Sequence, residues 1–257
     1  MQIQIAIASH FRSLQIEKKT LALLKKHNFN FKYVHVFVSF ESIESYIPIA
    51  NKLGFNLIIS GSTILETRNH IIQHFSDGTH IVEMDDDIED IKTTLKNTKE
   101  KSVGNLQCLF EESFELLIDK GGGLWGFNAN TNNYFASGKD QWGLRSIINS
   151  CLGYVNDRSI VLTVMEKEDF ERCILFYLNG KSILKRGGYG IKTKYWTNPG
   201  GIQQHYNKEK RIQVQADSAH IISFKYPKLV REQRRKCGLI DIRFKGKDPL
   251  NIYEKQN

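Results

Sequence analysis

The stretch His80–Asp90 reads HIVEMDDDIED, and the rest of the chain is ordered around it. His80 to Met84 is short and apolar enough for a buried strand, and Asp85, Asp86 and Asp87 follow at once. Successive side chains of an extended segment point to opposite sides. Asp85 and Asp87 therefore share one side and Asp86 takes the other. Two neighbouring carboxylates repel unless a cation relieves them, and Mg2+, Mn2+ and Ca2+ prefer carboxylate oxygens. An ion held by one or two carboxylates keeps positions for water and a substrate phosphate. The same residues admit a plainer reading. Asp87 suits a helix N-cap, with Glu89 and Asp90 in the first turn of a helix running toward Lys96. The stretch alone leaves both open.

On the N-terminal side, apolar periodicity predicts a strand over Gln2–Ala8, a helix around Ile16–Lys26, a strand over Tyr33–Ser39 and a helix over Ser42–Leu53 interrupted by Pro48. Asn56–Ser60 follows as a strand, Ile64–Phe75 as a helix carrying Arg68 and Asn69, and Asp77-Gly78 as a turn. Strands alternating with helices argue for an α/β, doubly wound, mostly parallel sheet flanked by helices. Ligands of such sheets bind at the C-terminal strand ends, where the loop with Ser9 and Arg12 and the acidic run both lie. No GxGxxG or Walker A sequence occurs, so dinucleotide and P-loop chemistry is unsupported.

On the C-terminal side, Asn105–Asp119 has helical spacing and ends in Gly121-Gly122-Gly123 before Leu124-Trp125-Gly126-Phe127. Such glycines suit either a backbone approaching a ligand or a tight turn. Asn128–Asn133 and Ser137–Trp142 look like loop, and Ile147–Val155 and Ser159–Val164 like strands. Glu168 and Asp169 open an apolar helix, Phe170–Leu178, so they suit a helix N-terminus or a general base. From Ile183 onward the chain reads as turn-rich, with His205 and His220 beyond.

The chain carries a net charge of +8. Residues 1–130 hold 13 Lys and Arg against 16 acids, and residues 131–257 hold 23 against 12, so the halves carry −3 and +11. A basic half points to a polyanion, nucleic acid first, or to a solvated surface. The apolar fraction of 40% supports a sizeable core, and no stretch approaches the roughly 20 apolar residues of a membrane span. The N-terminus lacks the basic region of a signal peptide, and four dispersed cysteines suggest neither zinc nor disulfides. A reducing, cytoplasmic location is the expectation.

The phrases SHFR after the first strand, TLALLKK, ETRNHI, FSDGTHIVEMDDDIEDI, GGGLWGFN and MEKEDFERC together resemble the TET-associated glycosyltransferases. That family occurs largely in phages and large viruses, accompanies oxygenases that make 5-hydroxymethyl-pyrimidines, and is similar to the glucosyltransferase that makes base J. The resemblance runs over roughly residues 2–220 and implies a GT-A-like single domain, residues 1–224, with a basic extension, residues 225–257, packed on it or trailing it. It implies a metal-dependent enzyme that moves a sugar from a UDP-sugar to the hydroxyl of a 5-hydroxymethyl-pyrimidine in DNA. Asp85 and Asp87, as its DxD, would hold Mn2+ or Mg2+, with His205 completing the shell. Ser9, Arg12, Arg68, Asn69, Asp85 and Asp86 would contact the nucleotide, while Arg68 equally suits pairing with Asp85 or Asp86. Gly122, Gly123 and Trp125 would face the sugar or base, and Asp169, supported by Glu168, would be the base of an inverting reaction. Unlike the bifunctional members of that family, this stretch is expected to be a transferase domain alone, with the hydroxymethyl group made by a separate enzyme. Two rivals remain: a GT-A enzyme for a glycan or protein acceptor, and a non-catalytic basic module that binds nucleic acid.

Overall fold

The structure, a computed structural model, describes residues 1–95, 98–132, 138–193, 208–235 and 238–252. His205 and Cys237 lie outside the described residues.

Four parallel strands open the chain: β1 (Ile3–Ala8), β2 (Val34–Ser39), β3 (Asn56–Ser60) and β4 (His80–Asp85). They join β5 (Asp90–Thr93), β6 (Lys101–Ser102), β7 (Gly122–Asn128), β8 (Cys151–Val155) and β9 (Ser182–Lys192) in one sheet of order β3-β2-β1-β4-β8-β7-β9-β5-β6. Strands β8 and β5 run against the other seven, so the sheet is mostly parallel. Side chains alternate between two apolar layers. Ile5, Ile7, Val36, Val82, Met84, Trp125 and Phe127 meet helices α1 (Ser13–Lys18), α2 (Thr20–Lys26) and α5 (Leu106–Asp119). Ala6, Phe37, Ile81, Leu124 and Ile183 meet α4 (Ile64–His74), α6 (Glu168–Leu178) and α7 (Lys208–Lys225). This is the doubly covered α/β domain expected from the alternation, with α3 (Ile47–Leu53) packed beside β3.

Several elements differ from expectation. The predicted helix over Ile16–Lys26 is two helices, broken at Lys19. The break turns Thr20 inward, where its hydroxyl donates to the Asp85 carbonyl at 2.7 Å and accepts from the Ile88 amide at 3.0 Å. Pro48 does not interrupt a helix. It sits in the first turn of α3, after a 3-10 segment over Phe40–Ser45. No helix follows Asp87: Asp90–Thr93 is β5, held against β9. The turn-rich Ile183 region is likewise an eleven-residue strand, β9.

Ser159–Val164 is β-branched and apolar, yet it is not a strand. Its backbone is held by side chains instead. Asn69 donates to the Leu162 carbonyl at 2.9 Å and accepts from the Leu162 amide at 2.9 Å. Glu171 accepts from the Thr163 amide at 2.6 Å and the Val164 amide at 3.2 Å. Asn69 therefore does not line the cleft described below; it buttresses one wall. Replacing it with alanine strands two peptide groups and is expected to cost about 1–3 kcal/mol in denaturant unfolding.

The glycines of β7 serve packing. A Cβ at Gly122 would lie 2.5 Å from Leu117, and one at Gly123 would lie 2.6 Å from Phe176. Trp125 is fully buried, 5.6 Å from Phe110 and 5.2 Å from Phe127 between ring centres. Neither these glycines nor Trp125 reaches the cleft, which corrects their expected role as a sugar or base platform.

Candidate active site

A cleft of about 730 Å³ opens at the C-terminal ends of β1 and β4. Two walls face each other across it. One carries Ser9, Arg12, Arg68 and the Asp85-Asp86-Asp87 run; the other carries Glu166 to Phe170 with Arg211, Gln215, Arg235 and Asp241.

The alternation expected of the three aspartates is present. Asp86 is buried, and Asp85 and Asp87 keep side chains 34% and 13% exposed. Asp86 Oδ2 accepts from the Ser9 hydroxyl at 2.7 Å, and Oδ1 accepts from Arg12 Nη1 at 3.0 Å. The single Ser9 proton is thereby used, so at 2.7 Å from Ser9 Oγ the Tyr46 hydroxyl is the donor. Tyr46 in turn accepts from the Arg12 amide at 2.9 Å. The result is one polarised chain from Arg12 through Tyr46 and Ser9 to Asp86. Tyr46 had no sequence signal; it lies between the 3-10 segment and α3, and its role follows only from the fold. Burial pushes the Asp86 carboxyl up to about 6, reinforced by Asp87 and Asp85 and opposed by Arg12 and Ser9.

Asp85 ends β4, where its amide donates to the Ser150 carbonyl at 2.9 Å. Its Oδ1 accepts from Arg68 Nη2 at 2.7 Å, and its Oδ2 has no hydrogen-bond partner among the described residues. Asp87 is steadied by the residue after β9, its Oδ1 accepting from the Thr193 hydroxyl at 2.8 Å. Arg12 Nη1 stands 3.9 Å from Asp87 Oδ2. Among the described residues no three His, Cys, Asp or Glu side chains converge as a metal cage. The donor set here is two hard carboxylates with an outward oxygen, which fits Mg2+ or Mn2+ sharing its remaining positions with water and phosphate.

Behind Asp85 lies a buried ionic cluster. Glu83, on the face of β4 opposite Met84, accepts from Arg68 Nη1 at 2.6 Å, from Arg172 at 2.9 and 3.1 Å, and from the Tyr154 hydroxyl at 2.9 Å. Arg68 thus bridges Glu83 to Asp85, and Arg172 ties the same carboxylate to α6. Of the two acids that suited Arg68 as partners, the structure pairs it with Asp85. Arg68 also lines the cleft.

Across the cleft, α6 starts at Glu168 after Lys167, which holds a left-handed φ of 63°. Glu168 accepts from Asn149 at 2.9 Å, and Asp169 Oδ1 accepts from the Phe170 amide at 2.8 Å. Burial, then the neighbouring Glu168, lifts the Asp169 carboxyl to about 7. Glu168 is raised by burial too, against the pull of Arg68 and Asn149.

Residues from the last fifty positions of the chain complete this wall. Beyond α7 come β10 (Val230–Arg234) and β11 (Ile240–Phe244), an antiparallel pair whose Val230 and Ile242 join the α4–α6–α7 layer. Glu166 accepts from Arg211 at 3.0 Å and Gln215 at 3.2 Å; Asp241 accepts from Lys167 at 2.8 Å and pairs with Arg235. Sequence reasoning missed Arg211, Gln215, Arg235 and Asp241, whose one signal was the basic excess of their half. His220 is exposed on α7, 2.7 Å from Glu232 and away from the cleft lining. No helix among the described residues is long and apolar enough to cross a membrane.

The chain matches no protein-family model and no curated protein. Among solved structures, it aligns with glucosyl-3-phosphoglycerate synthase from Mycobacterium tuberculosis, solved with Mn2+, UDP-glucose and glycerol 3-phosphate, at 11% identity over 90% of this chain and 84% of that one, with a TM-score of 0.51. A partial match to mouse xyloside xylosyltransferase 1, apo form, has 14% identity over 50% of this chain and 53% of that one, with a TM-score of 0.34. The chain spans about half the length of that second structure. The near full-length match shows that this chain has the GT-A-like α/β fold.

Proposed function

We propose that the chain is a metal-dependent glycosyltransferase that moves a sugar from a UDP-sugar to the hydroxyl of a 5-hydroxymethyl-pyrimidine in DNA. The observation that carries the transfer reading is the meeting, in one cleft, of the acidic run with Ser9 and Arg12 and of the Glu168-Asp169 pair opposite. The DNA acceptor rests on the resemblance of the sequence phrases and on the +11 half. A neighbour of the same fold solved with Mn2+ and UDP-glucose accords with the donor and the cation.

Each part has a role. Ser9, Arg12 and Asp86 orient the nucleotide on a preset hydrogen-bonded chain. Asp85 and Asp87 would hold the divalent cation, which supplies positive charge to the leaving diphosphate. The acceptor oxygen attacks the sugar carbon, the bond from that carbon to the diphosphate oxygen breaks, and Asp169 takes the hydroxyl proton. Burial, reinforced by Glu168, keeps the Asp169 carboxyl basic. A base in duplex DNA would have to be flipped out to reach the cleft.

The test is a panel of UDP-sugars with Mn2+ or Mg2+ against hydroxymethylated and plain DNA, read by nucleoside mass spectrometry. A hexose mass on hydroxymethylated bases alone is the expected result. Transfer only to glycan or protein would assign the acceptor elsewhere, and no donor turnover under any metal would leave a binding module. The pH profile is a second readout. Asp169 accepts a proton only as a carboxylate, so activity should rise about tenfold per unit up to a midpoint near 7 and level off above it. In Asp169→Asn that acidic limb should vanish together with most of the rate.

A further inference from the structure

We infer that the exposed face of the β10–β11 hairpin is a docking track for the phosphate backbone of a nucleic acid, leading into the cleft. The inference rests on the proposed DNA acceptor and names the surface that would receive it.

Residues directly opposite in an antiparallel pair share a face, and β10 and β11 set Arg231 opposite Arg243. Like charges so placed destabilise a hairpin. Both arginines are exposed, and neither has a hydrogen-bond or ion-pair partner among the described residues. The other hairpin face, through Val230 and Ile242, is packed on α7, so the arginine pair looks outward. Along the same face the next opposed pair is Gln233 and Asp241. Two residues of strand cover about 7 Å. Asp241, the acid nearest the arginines on this face, is already taken by Lys167 and Arg235, and both Asp241 and Arg235 line the cleft. The row of cations therefore runs from the solvent edge to the site with its single acid already paired.

Uncompensated, opposed arginines are an expensive way to make a hairpin and an effective way to bind a polyanion. Phosphates at successive steps of a strand would neutralise the repulsion that the free protein carries. Arginine suits this better than lysine, because its planar fork meets phosphate oxygens in pairs.

The test is Arg231→Gln with Arg243→Gln in the full chain, titrated with a fluorescent 20-base-pair DNA duplex at several KCl concentrations, with Lys25→Gln and Lys26→Gln on α2 as the charge-matched control. Wild type should bind with a steep salt dependence. In the hairpin double variant the slope of log K against log [KCl] should shrink by about 1.8, two contacts at about 0.9 each, while the control keeps the wild-type slope. The melting temperature should stay level or rise, because a repulsion has been removed. An unchanged slope, an equal loss in the α2 control, or a fall in melting temperature each overturns the track. Preference for anionic lipid vesicles over DNA would also overturn it. DNA binding needs no donor sugar, so a failed track with intact sugar transfer is distinguishable from failure of the transferase reading itself.

Discussion

Asp87→Ala is expected to lower sugar transfer by about 10³-fold or more while the fold stays intact. The expectation comes from what the side chain touches. Asp87 sits 13% exposed at the cleft, receives one hydrogen bond from Thr193, and shares its side of the chain with Asp85. With no cation bound, three carboxylates crowd one strand end against the single guanidinium of Arg12 and the half-committed one of Arg68. Removing Asp87 relieves carboxylate repulsion but gives up the Thr193 hydrogen bond and the approach of Arg12 at a partly exposed site; these effects oppose each other, so stability should change by about 1 kcal/mol or less. Transfer loses far more, because the leaving diphosphate loses its counter-charge. Thermal melting, titration with Mn2+, and nucleoside mass spectrometry separate the two effects: melting unchanged, metal-dependent donor binding lost, product absent. Turnover at the wild-type level would place the cation elsewhere. Asp86→Asn should behave differently. It breaks the Arg12–Tyr46–Ser9–Asp86 chain, so the main loss should be in donor KM.

Some of this was legible in the residues. The end of β4 and the split of Asp85 and Asp87 from Asp86 follow from strand alternation, and β3 lies where its apolar run stands. The start of α6 at Glu168 follows from two acids ahead of an apolar run. What escaped is what distant partners decide. Ser159–Val164 has the residues of a strand, but Asn69 from more than ninety positions away takes its hydrogen bonds. Strand β9 has the glycines of a turn, yet one of them, Gly190, is there because a Cβ would press on the Asn130 carbonyl. Trp125 looks like a platform, and Gly153 beside it leaves the room that seats its ring in the core. Tyr46 is an apolar-looking residue in a helix lead, and only the strand order puts its hydroxyl beside Ser9. Local pattern reports what a segment prefers; these four cases turn on what packs against it.

Glu83→Gln is expected to be the most destabilising single change at this site, costing about 3–5 kcal/mol. Four hydrogen bonds converge on the Glu83 carboxylate, from Arg68, from two nitrogens of Arg172 and from Tyr154, and none of these groups is exposed beyond 2%. Burial works against a charged Glu83, yet Arg172 and Arg68 hold its carboxyl below the usual range. Glutamine keeps the shape but offers one acceptor oxygen to four donors and turns an amide toward two cations. Arg172 then lies buried without a counter-charge. On a chain of this length the loss should appear as a fall of roughly 6–20 °C in melting temperature. The sign with pH follows from the lowered carboxyl. Its stabilisation is present above the ordinary value of 4.5 and disappears as pH falls below it, so wild type and variant should converge in stability in acid. A double variant, Glu83→Gln with Arg172→Met, should recover part of the loss, because the orphaned cation is gone. Additive losses in that cycle would mean that the two side chains do not share one charge pair. The cluster also connects stability to the site. Arg68 divides its guanidinium between Glu83 and Asp85, and Arg172 anchors the helix that begins with Glu168 and Asp169. A neutral residue at 83 should therefore loosen both walls of the cleft at once, lowering kcat even at temperatures where the variant remains folded.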